Sequence, residues 1–159
     1  MGLIMLRLSK LTDYAVVVLI RLAGGAEVQT APQIALSTGV PEPTVAKVLK
    51  ALTAANLVLS SRGAKGGYRL ASALTDIPIS RVIAAIDGPI ALTACVEGSG
   101  VVCSTQHHCP ASGRWNLVNG AIQTALNSIS LGDMAAVSLP RGMGLDMFDQ
   151  NLAAEELRP

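Results

Sequence analysis

Residues 30–53, with the sequence TAPQIALSTGVPEPTVAKVLKALT, contain the pattern that decides the fold. Thr30 can cap a short helix, in which Ile34 and Leu36 are the residues available for burial. A tight turn that contains Gly39 ends this helix, and a second helix follows it. Two short helices joined by a glycine-containing turn predict a helix–turn–helix.

The second of these helices begins near Glu42-Pro43, because proline is tolerated in the first turn of a helix. Its apolar face is predicted to consist of Val45, Val48, Leu49 and Leu52. Thr44, Lys47 and Lys50 follow one another at spacings of three residues and therefore share a different face. We expect that face to enter the major groove of double-stranded DNA, as a recognition helix does.

The residues that follow predict a β-hairpin. Strand candidates at 57–61 and 68–70 flank a glycine-rich turn at 63–67. Arg62 and Lys65 lie at the tip, where they could contact phosphates or a minor groove. A hairpin directly after a recognition helix is a wing, so the predicted fold class is mainly α with a small β-hairpin, a winged helix–turn–helix with a long dimerisation helix.

Three further helices complete the predicted organisation. Apolar residues recur at helical spacing over 8–23, and a helix from Ser80 to Asp87 has Ser80 as its cap. A longer helix runs from Gly113 to about Ile129. Its heptad-like seam favours a dimer and consists of Trp115, Val118, Ile122, Ala125 and Ile129. The predicted units are a DNA-binding domain at 5–88, a cysteine-containing loop at 89–112, a dimerisation helix at 113–135 and a weakly ordered tail at 136–159.

Charge is distributed unevenly along the chain. Residues 1–70 carry eight Lys and Arg against three acids, whereas residues 71–159 carry four basic and eight acidic side chains. A basic first half fits a DNA-binding unit attached to an acidic second unit. No apolar run is long enough to span a bilayer, and the first residues lack a signal-peptide layout, so we expect a cytoplasmic protein without membrane partners.

Three cysteines, Cys95, Cys103 and Cys109, lie in one short segment that also contains His107 and His108. An odd number of cysteines in a reducing compartment argues against a disulfide framework. Clustered thiolates suit zinc, copper or an iron–sulfur cluster, although the CxxC spacing of structural zinc sites is missing. A zinc- or thiol-based sensor is therefore the alternative to an iron–sulfur protein.

An enzyme with a reactive cysteine is not expected. Cys109 lies near His107 and His108 in sequence and could in principle form a thiolate–imidazole pair. However, no acid stands at a recognisable spacing to orient the imidazole, and the chain has neither a glycine-rich phosphate loop nor an HExxH motif.

Two stretches resemble the Rrf2 family of winged-helix repressors. They are LRLSKLTDYA at 6–15 and LVLSSRGAKGGYRL at 57–70, and the cysteine segment and the helix after it are also similar, so that the resemblance covers about residues 5–135. The first stretch looks most like the branch that regulates the SUF iron–sulfur assembly operon. The resemblance implies a cluster-dependent repressor that binds a near-palindromic operator as a homodimer.

The resemblance also implies that Cys95, Cys103 and Cys109 are ligands of an iron–sulfur cluster, with 2Fe–2S favoured and 4Fe–4S possible. At the position of the fourth ligand, this chain differs from one pattern of the family. That pattern has a histidine where this chain has Ser112. In the nitric-oxide-sensing branch an aspartate from the other subunit completes the site, and Asp13 matches that position. His107 or His108 is the alternative.

The predicted recognition helix also departs from the family. The iron–sulfur regulators have an acidic residue where Ala46 stands in this chain. An alanine cannot accept a hydrogen bond from a cytosine amino group. The operator preference therefore stays open.

Overall fold

The computed structural model describes residues 8–25, 27–105 and 107–136. The predicted tail lies outside the described residues from position 137 onward. A short 3₁₀ turn at Leu74–Asp76 precedes the fourth helix. The other elements are α1 (Lys10–Gly24), α2 (Ala31–Thr38), α3 (Glu42–Ala54), β1 (Val58–Ser61), β2 (Gly67–Leu70), α4 (Ile79–Asp87), α5 (Trp115–Ser128) and α6 (Leu131–Ala135).

The helix ends follow from local capping. The Ser9 side chain accepts a hydrogen bond from the Thr12 backbone N–H and caps α1. Thr30 and Gln33 form a reciprocal capping box at the start of α2. Gly39 ends α2 with a φ of 72°, a left-handed conformation that favours glycine. The helix–turn–helix predicted from residues 30–53 is therefore confirmed.

A single apolar core joins the helices. All four residues of the predicted apolar face of α3 are buried in it. The prediction for Leu36 was wrong, because this side chain is 90% exposed. The short helix α2 turns only one side towards the core, and Ile34 fills that position.

The predicted wing is present, and a third segment supports it. Strands β1 and β2 pair antiparallel, with Val58 opposite Leu70. Gln29 forms an isolated bridge to Tyr68. In this bridge the Gln29 N–H donates to the Tyr68 carbonyl at 3.0 Å, and the Tyr68 N–H donates to the Gln29 carbonyl at 2.8 Å. The wing is thus fixed to the segment between α1 and α2, which the sequence did not predict.

The start of α4 differs from the prediction. The helix begins at Ile79 after Pro78, so Ser80 lies inside the helix and does not cap it. Ser80 is buried, and its hydroxyl donates to the side-chain carbonyl of Asn127 on α5. A serine within the first turn resembles a cap in sequence, but here its hydroxyl joins two helices.

The segment predicted as a dimerisation helix at 113–135 is divided. Helix α5 ends at Ser128, and α6 begins after a break at Ile129 and Ser130. The Ile79 N–H donates to the Ile129 carbonyl at 2.9 Å, and the Leu131 N–H donates to the Ile77 carbonyl at 2.8 Å. Leu131 is fully buried in the same core as α1 and α3. The chain therefore returns to the DNA-binding domain after α5.

Candidate nucleic-acid interface and cysteine segment

The exposed face of α3 carries the predicted base-contacting residues. Lys47 and Lys50 are exposed, and Thr44 is half-buried. Ala46 is exposed beside them and adds only a methyl group. The opposite side of α3 is packed in the core. The ammonium groups of Lys47 and Lys50 are therefore accessible to an anionic partner.

The wing tip carries the second cationic group. Arg62 and Lys65 are exposed on the turn between β1 and β2. Gly63 has a φ of 111°, and its carbonyl accepts from the Gly66 N–H at 2.9 Å, which closes the turn. The link back to α3 is short, because the Leu57 N–H donates to the Leu52 carbonyl at 2.9 Å. This hydrogen bond fixes the start of the wing relative to the end of α3.

The three cysteines lie between α4 and α5 in a segment without helix or strand among its described residues. All three thiols are free and half-buried. The Cys95 sulfur is 3.2 Å from Thr93 Oγ1. The Cys103 sulfur is 3.5 Å from Thr105 Oγ1, and hydrogen bonds from the Thr105 hydroxyl and backbone lower the pKa of this thiol.

The donor chemistry of this segment fits an iron–sulfur cluster or a zinc ion, since unpaired thiols are the preferred ligands of both. Within one chain, however, the three thiols do not come together at one site. Within residues 8–25, 27–105 and 107–136, no group of three His, Cys, Asp or Glu lies close enough to hold a metal ion. His107 and His108 are exposed, and Ser112 is half-buried.

Asp13 lies on the first turn of α1. It is exposed and lines an open cavity of about 480 Å³. The cavity is bounded by the start of α1, by Ile79 of α4 and by Met134 of α6. Its carboxylate thus stands on the surface, where a second molecule can reach it.

The predicted seam of α5 is mostly exposed. Trp115, Val118 and Ile129 are 41%, 43% and 44% exposed, and Ala125 is exposed as well. Ile122 is half-buried. Leu117, which is not one of the residues of the predicted seam, is 83% exposed on the same helix. This helix therefore has an apolar face that the described residues of the chain leave uncovered.

Two sets of polar contacts beside these sites were not predictable from the sequence pattern alone. At the first, Thr12 is buried, and its hydroxyl donates to Asp87 Oδ2 at 2.7 Å. Partial burial raises the pKa of Asp87, but hydrogen bonds from Ser9 and Thr12 outweigh this and lower it. This contact fastens the start of α1 to the end of α4.

The second set lies on α5. The side chains of Asn116, Asn119 and Gln123 hydrogen-bond to the backbone at 90–97, at the start of the cysteine segment. The spacing of the three polar residues on one helix face was the available signal. A polar stripe alone, however, is typical of a solvated surface.

Comparisons with known proteins agree with this architecture. The model of the Rrf2 family, described as iron-dependent transcriptional regulators, matches residues 8–137. A Mycobacterium tuberculosis (strain H37Rv) protein named as an HTH-type transcriptional regulator is 30% identical over 155 residues, which cover 96% of this chain and 95% of that protein. No helix in the described part of the chain is long and apolar enough to cross a membrane.

Two solved structures have a similar fold. CymR (YrzC), the global cysteine regulator of B. subtilis, has a TM-score of 0.64 and 28% identity, with 84% of this chain and 99% of that one covered. IscR of T. potens has a TM-score of 0.60 and 27% identity, with 92% and 99% covered. The winged helix–turn–helix, the relatives and the family match lead to one conclusion: the chain belongs to the Rrf2 family of DNA-binding transcriptional regulators.

Proposed function

We propose that this protein is a homodimeric repressor whose operator binding depends on an iron–sulfur cluster, and that it regulates iron–sulfur cluster assembly genes in the cytoplasm. One observation carries the proposal. Three free, half-buried thiols lie on one irregular segment between the DNA-binding domain and α5, in a family described as iron-dependent regulators. Resemblance of residues 6–15 to the SUF-regulating branch suggests the assembly genes as targets.

DNA binding in this proposal uses α3 and the wing together. Thr44, Lys47 and Lys50 contact base edges and phosphates in the major groove. Arg62 and Lys65 contact phosphates or the adjacent minor groove. Support comes from the exposure of all four cationic side chains: two lie on α3, whose other face is packed in the core, and two lie at the tip of the wing.

The dimer in this proposal forms through α5. One helix–turn–helix contacts one half-site, so a near-palindromic operator requires two copies related by a two-fold axis. The uncovered apolar face of α5, which contains Trp115 and Val118, and the exposed Ile129 directly after the helix support a second copy as the partner. Ile122 and Ala125 complete the proposed seam.

Cys95, Cys103 and Cys109 are the proposed cluster ligands. The cluster is a 2Fe–2S or a 4Fe–4S centre and supplies sensitivity to iron and to redox state. Asp13 of the partner subunit is the proposed fourth ligand, which its exposed position beside an open cavity supports. His107 and His108 are the alternatives within the segment.

The test is anaerobic purification, followed by the visible spectrum and by analysis of iron, sulfide and zinc. We expect brown protein with near-equal iron and sulfide. Cys103→Ala is expected to abolish the visible absorbance, whereas Ser104→Ala at the adjacent exposed position is expected to keep it. A colourless wild type that stays colourless after anaerobic reconstitution, or a fully coloured Cys103→Ala variant, contradicts the ligand assignment.

The second candidate function is a zinc- or thiol-based sensor on the same winged helix. Two observations favour it: the three thiols do not converge in one chain, and a similar structure is named for cysteine regulation. Zinc at one per chain without sulfide supports a zinc sensor. Metal-free protein whose operator affinity changes on thiol oxidation supports a thiol sensor.

A further inference from the structure

We propose that Asn119 is a positioning residue, which fastens the cysteine segment to α5 so that a rearrangement of that segment moves the helix. The inference rests on the proposed function in one respect, namely that the state of the cysteine segment controls operator binding. The attachment itself involves no metal.

The Asn119 side chain is 3% exposed and forms two hydrogen bonds with one short stretch of backbone. Its Nδ2 donates to the Ile90 carbonyl at 2.9 Å, and its Oδ1 accepts from the Leu92 N–H at 3.1 Å. An amide is a side chain that offers one donor and one acceptor side by side, so it pairs with the backbone as a neighbouring strand does. Any displacement of Leu92 from the helix leaves buried polar groups without partners, which is costly.

Two flanking contacts extend the attachment along the segment. The Glu97 N–H donates to Asn116 Oδ1 at 3.0 Å, and Gln123 Nε2 donates to the Ile90 carbonyl at 3.2 Å. Asn116, Asn119 and Gln123 lie on one face of α5, because their spacings of three and four residues match the helical repeat. Cys95 lies between the two attached positions, Leu92 and Glu97. A change in the position of Cys95 is therefore opposed at both sides by α5.

The other end of α5 is attached to the DNA-binding domain. The Ser80 hydroxyl donates to the Asn127 side chain, which joins α4 to α5. Helix α4 is in turn fastened to α1 through Thr12 and Asp87. Coupling between two sites requires a contact whose energy differs between two arrangements. Asn119 supplies such a contact at the point where the cysteine segment meets the helix.

The first experiment tests the attachment in cluster-free protein. Asn119→Leu keeps the approximate size of the side chain and removes both hydrogen bonds. We expect the amide hydrogen of Leu92 to exchange about tenfold faster or more, as the loss of a buried hydrogen bond implies. Cys95 should also react faster with N-ethylmaleimide, while the rates at Cys103 and Cys109 stay unchanged.

The matched control is Gln123→Ala, which removes one exposed hydrogen bond to the same carbonyl and should change these rates by less than about twofold. Asn116→Ala is a milder second variant if Asn119→Leu fails to fold, and it should speed exchange at Glu97. Unchanged Leu92 exchange and an unchanged Cys95 rate in Asn119→Leu, or unchanged Glu97 exchange in Asn116→Ala, overturn the attachment.

The second experiment tests transmission. Operator affinity is measured at one salt concentration for cluster-loaded and cluster-free protein, and for N-ethylmaleimide-treated and untreated protein. In Asn119→Leu we expect the ratio of affinities within each pair to fall towards one, with the cluster absorbance retained. A wild-type ratio in a variant with faster Leu92 exchange refutes transmission.

The two proposals fail in different ways. A wild type that carries no cluster refutes the proposed cofactor, while the N-ethylmaleimide pair still tests Asn119. A coloured wild type with a cluster-dependent affinity, together with an unaltered response in Asn119→Leu, refutes only the role of Asn119.

Discussion

Replacement of Gly67 by alanine should displace the wing from the rest of the DNA-binding domain. A Cβ atom at this position would lie 2.7 Å from the Gln29 carbonyl oxygen and 2.8 Å from Val28 Cγ1. The backbone φ of 157° is also one that side chains other than glycine rarely adopt. The contact with a backbone oxygen cannot be relieved by a rotamer change, so the bridge between Gln29 and Tyr68 has to open.

The expected loss follows from these two effects. Opening the bridge removes two backbone hydrogen bonds, worth about 1 kcal/mol each. The strained φ adds about 1 kcal/mol or more. The free energy of unfolding should therefore fall by about 3 kcal/mol, which lowers Tm by roughly 6–12 °C for a chain of this size.

The assay is urea and thermal unfolding of Gly67→Ala beside Gly63→Ala. Gly63 also has a positive φ, 111°, but a Cβ atom at that position would meet nothing within 4 Å. The control variant thus carries the backbone strain without the collision and should lose about 1 kcal/mol. Equal losses in the two variants would refute the steric argument, and an unaltered Gly67→Ala would refute the whole account of the bridge.

Three further changes test other parts of the molecule. Lys47→Ala should weaken operator binding and reduce the slope of log affinity against log salt by about 0.9, if its ammonium neutralises one phosphate; filter binding at several salt concentrations measures this, and an unchanged slope excludes the contact. Leu131→Ala should cost about 2–5 kcal/mol of unfolding free energy by urea denaturation, because the side chain is fully buried; a loss below about 1 kcal/mol would show that α6 is not part of the core. Thr12→Val should cost about 1 kcal/mol above pH 5, by removing the hydrogen bond to the exposed Asp87 carboxylate. Because the pKa of Asp87 is lowered in the fold, this stabilisation is present at neutral pH and is lost as the pH falls through that pKa. The unfolding curves of Thr12→Val and of the wild type should therefore converge in acid.

The sequence predicted those parts of the fold that depend on local patterns. The two faces of α3 follow from a 3.6-residue repeat, and the wing follows from glycines between two short strands. Each of these signals is contained within 13 consecutive residues, 42–54 for α3 and 58–70 for the wing. The exposed cations at Lys47 and Lys50 could be placed for the same reason.

Features that depend on distant segments were not predictable in this way. The bridge from Gln29 to Tyr68 and the burial of Leu131 are set by which chain segment passes nearby. Asn119 is buried where the backbone at 90–92 supplies its partners, and the polar stripe that it forms on α5 does not distinguish it in sequence from a solvated residue. Leu36 shows the opposite error, since an apolar residue on a short helix need not face the core.

The return of the chain to Ile77–Ile79 after α5 has a consequence for synthesis on the ribosome. Residues 129 and 131 pair with positions about fifty residues earlier, so the first 88 residues lack part of their own core when they emerge. A nascent or prematurely terminated chain ending before Leu131 has an empty site in that core and unpaired backbone groups at Ile77 and Ile79. Completion of the core of the winged helix–turn–helix thus waits until the cysteine segment has been translated.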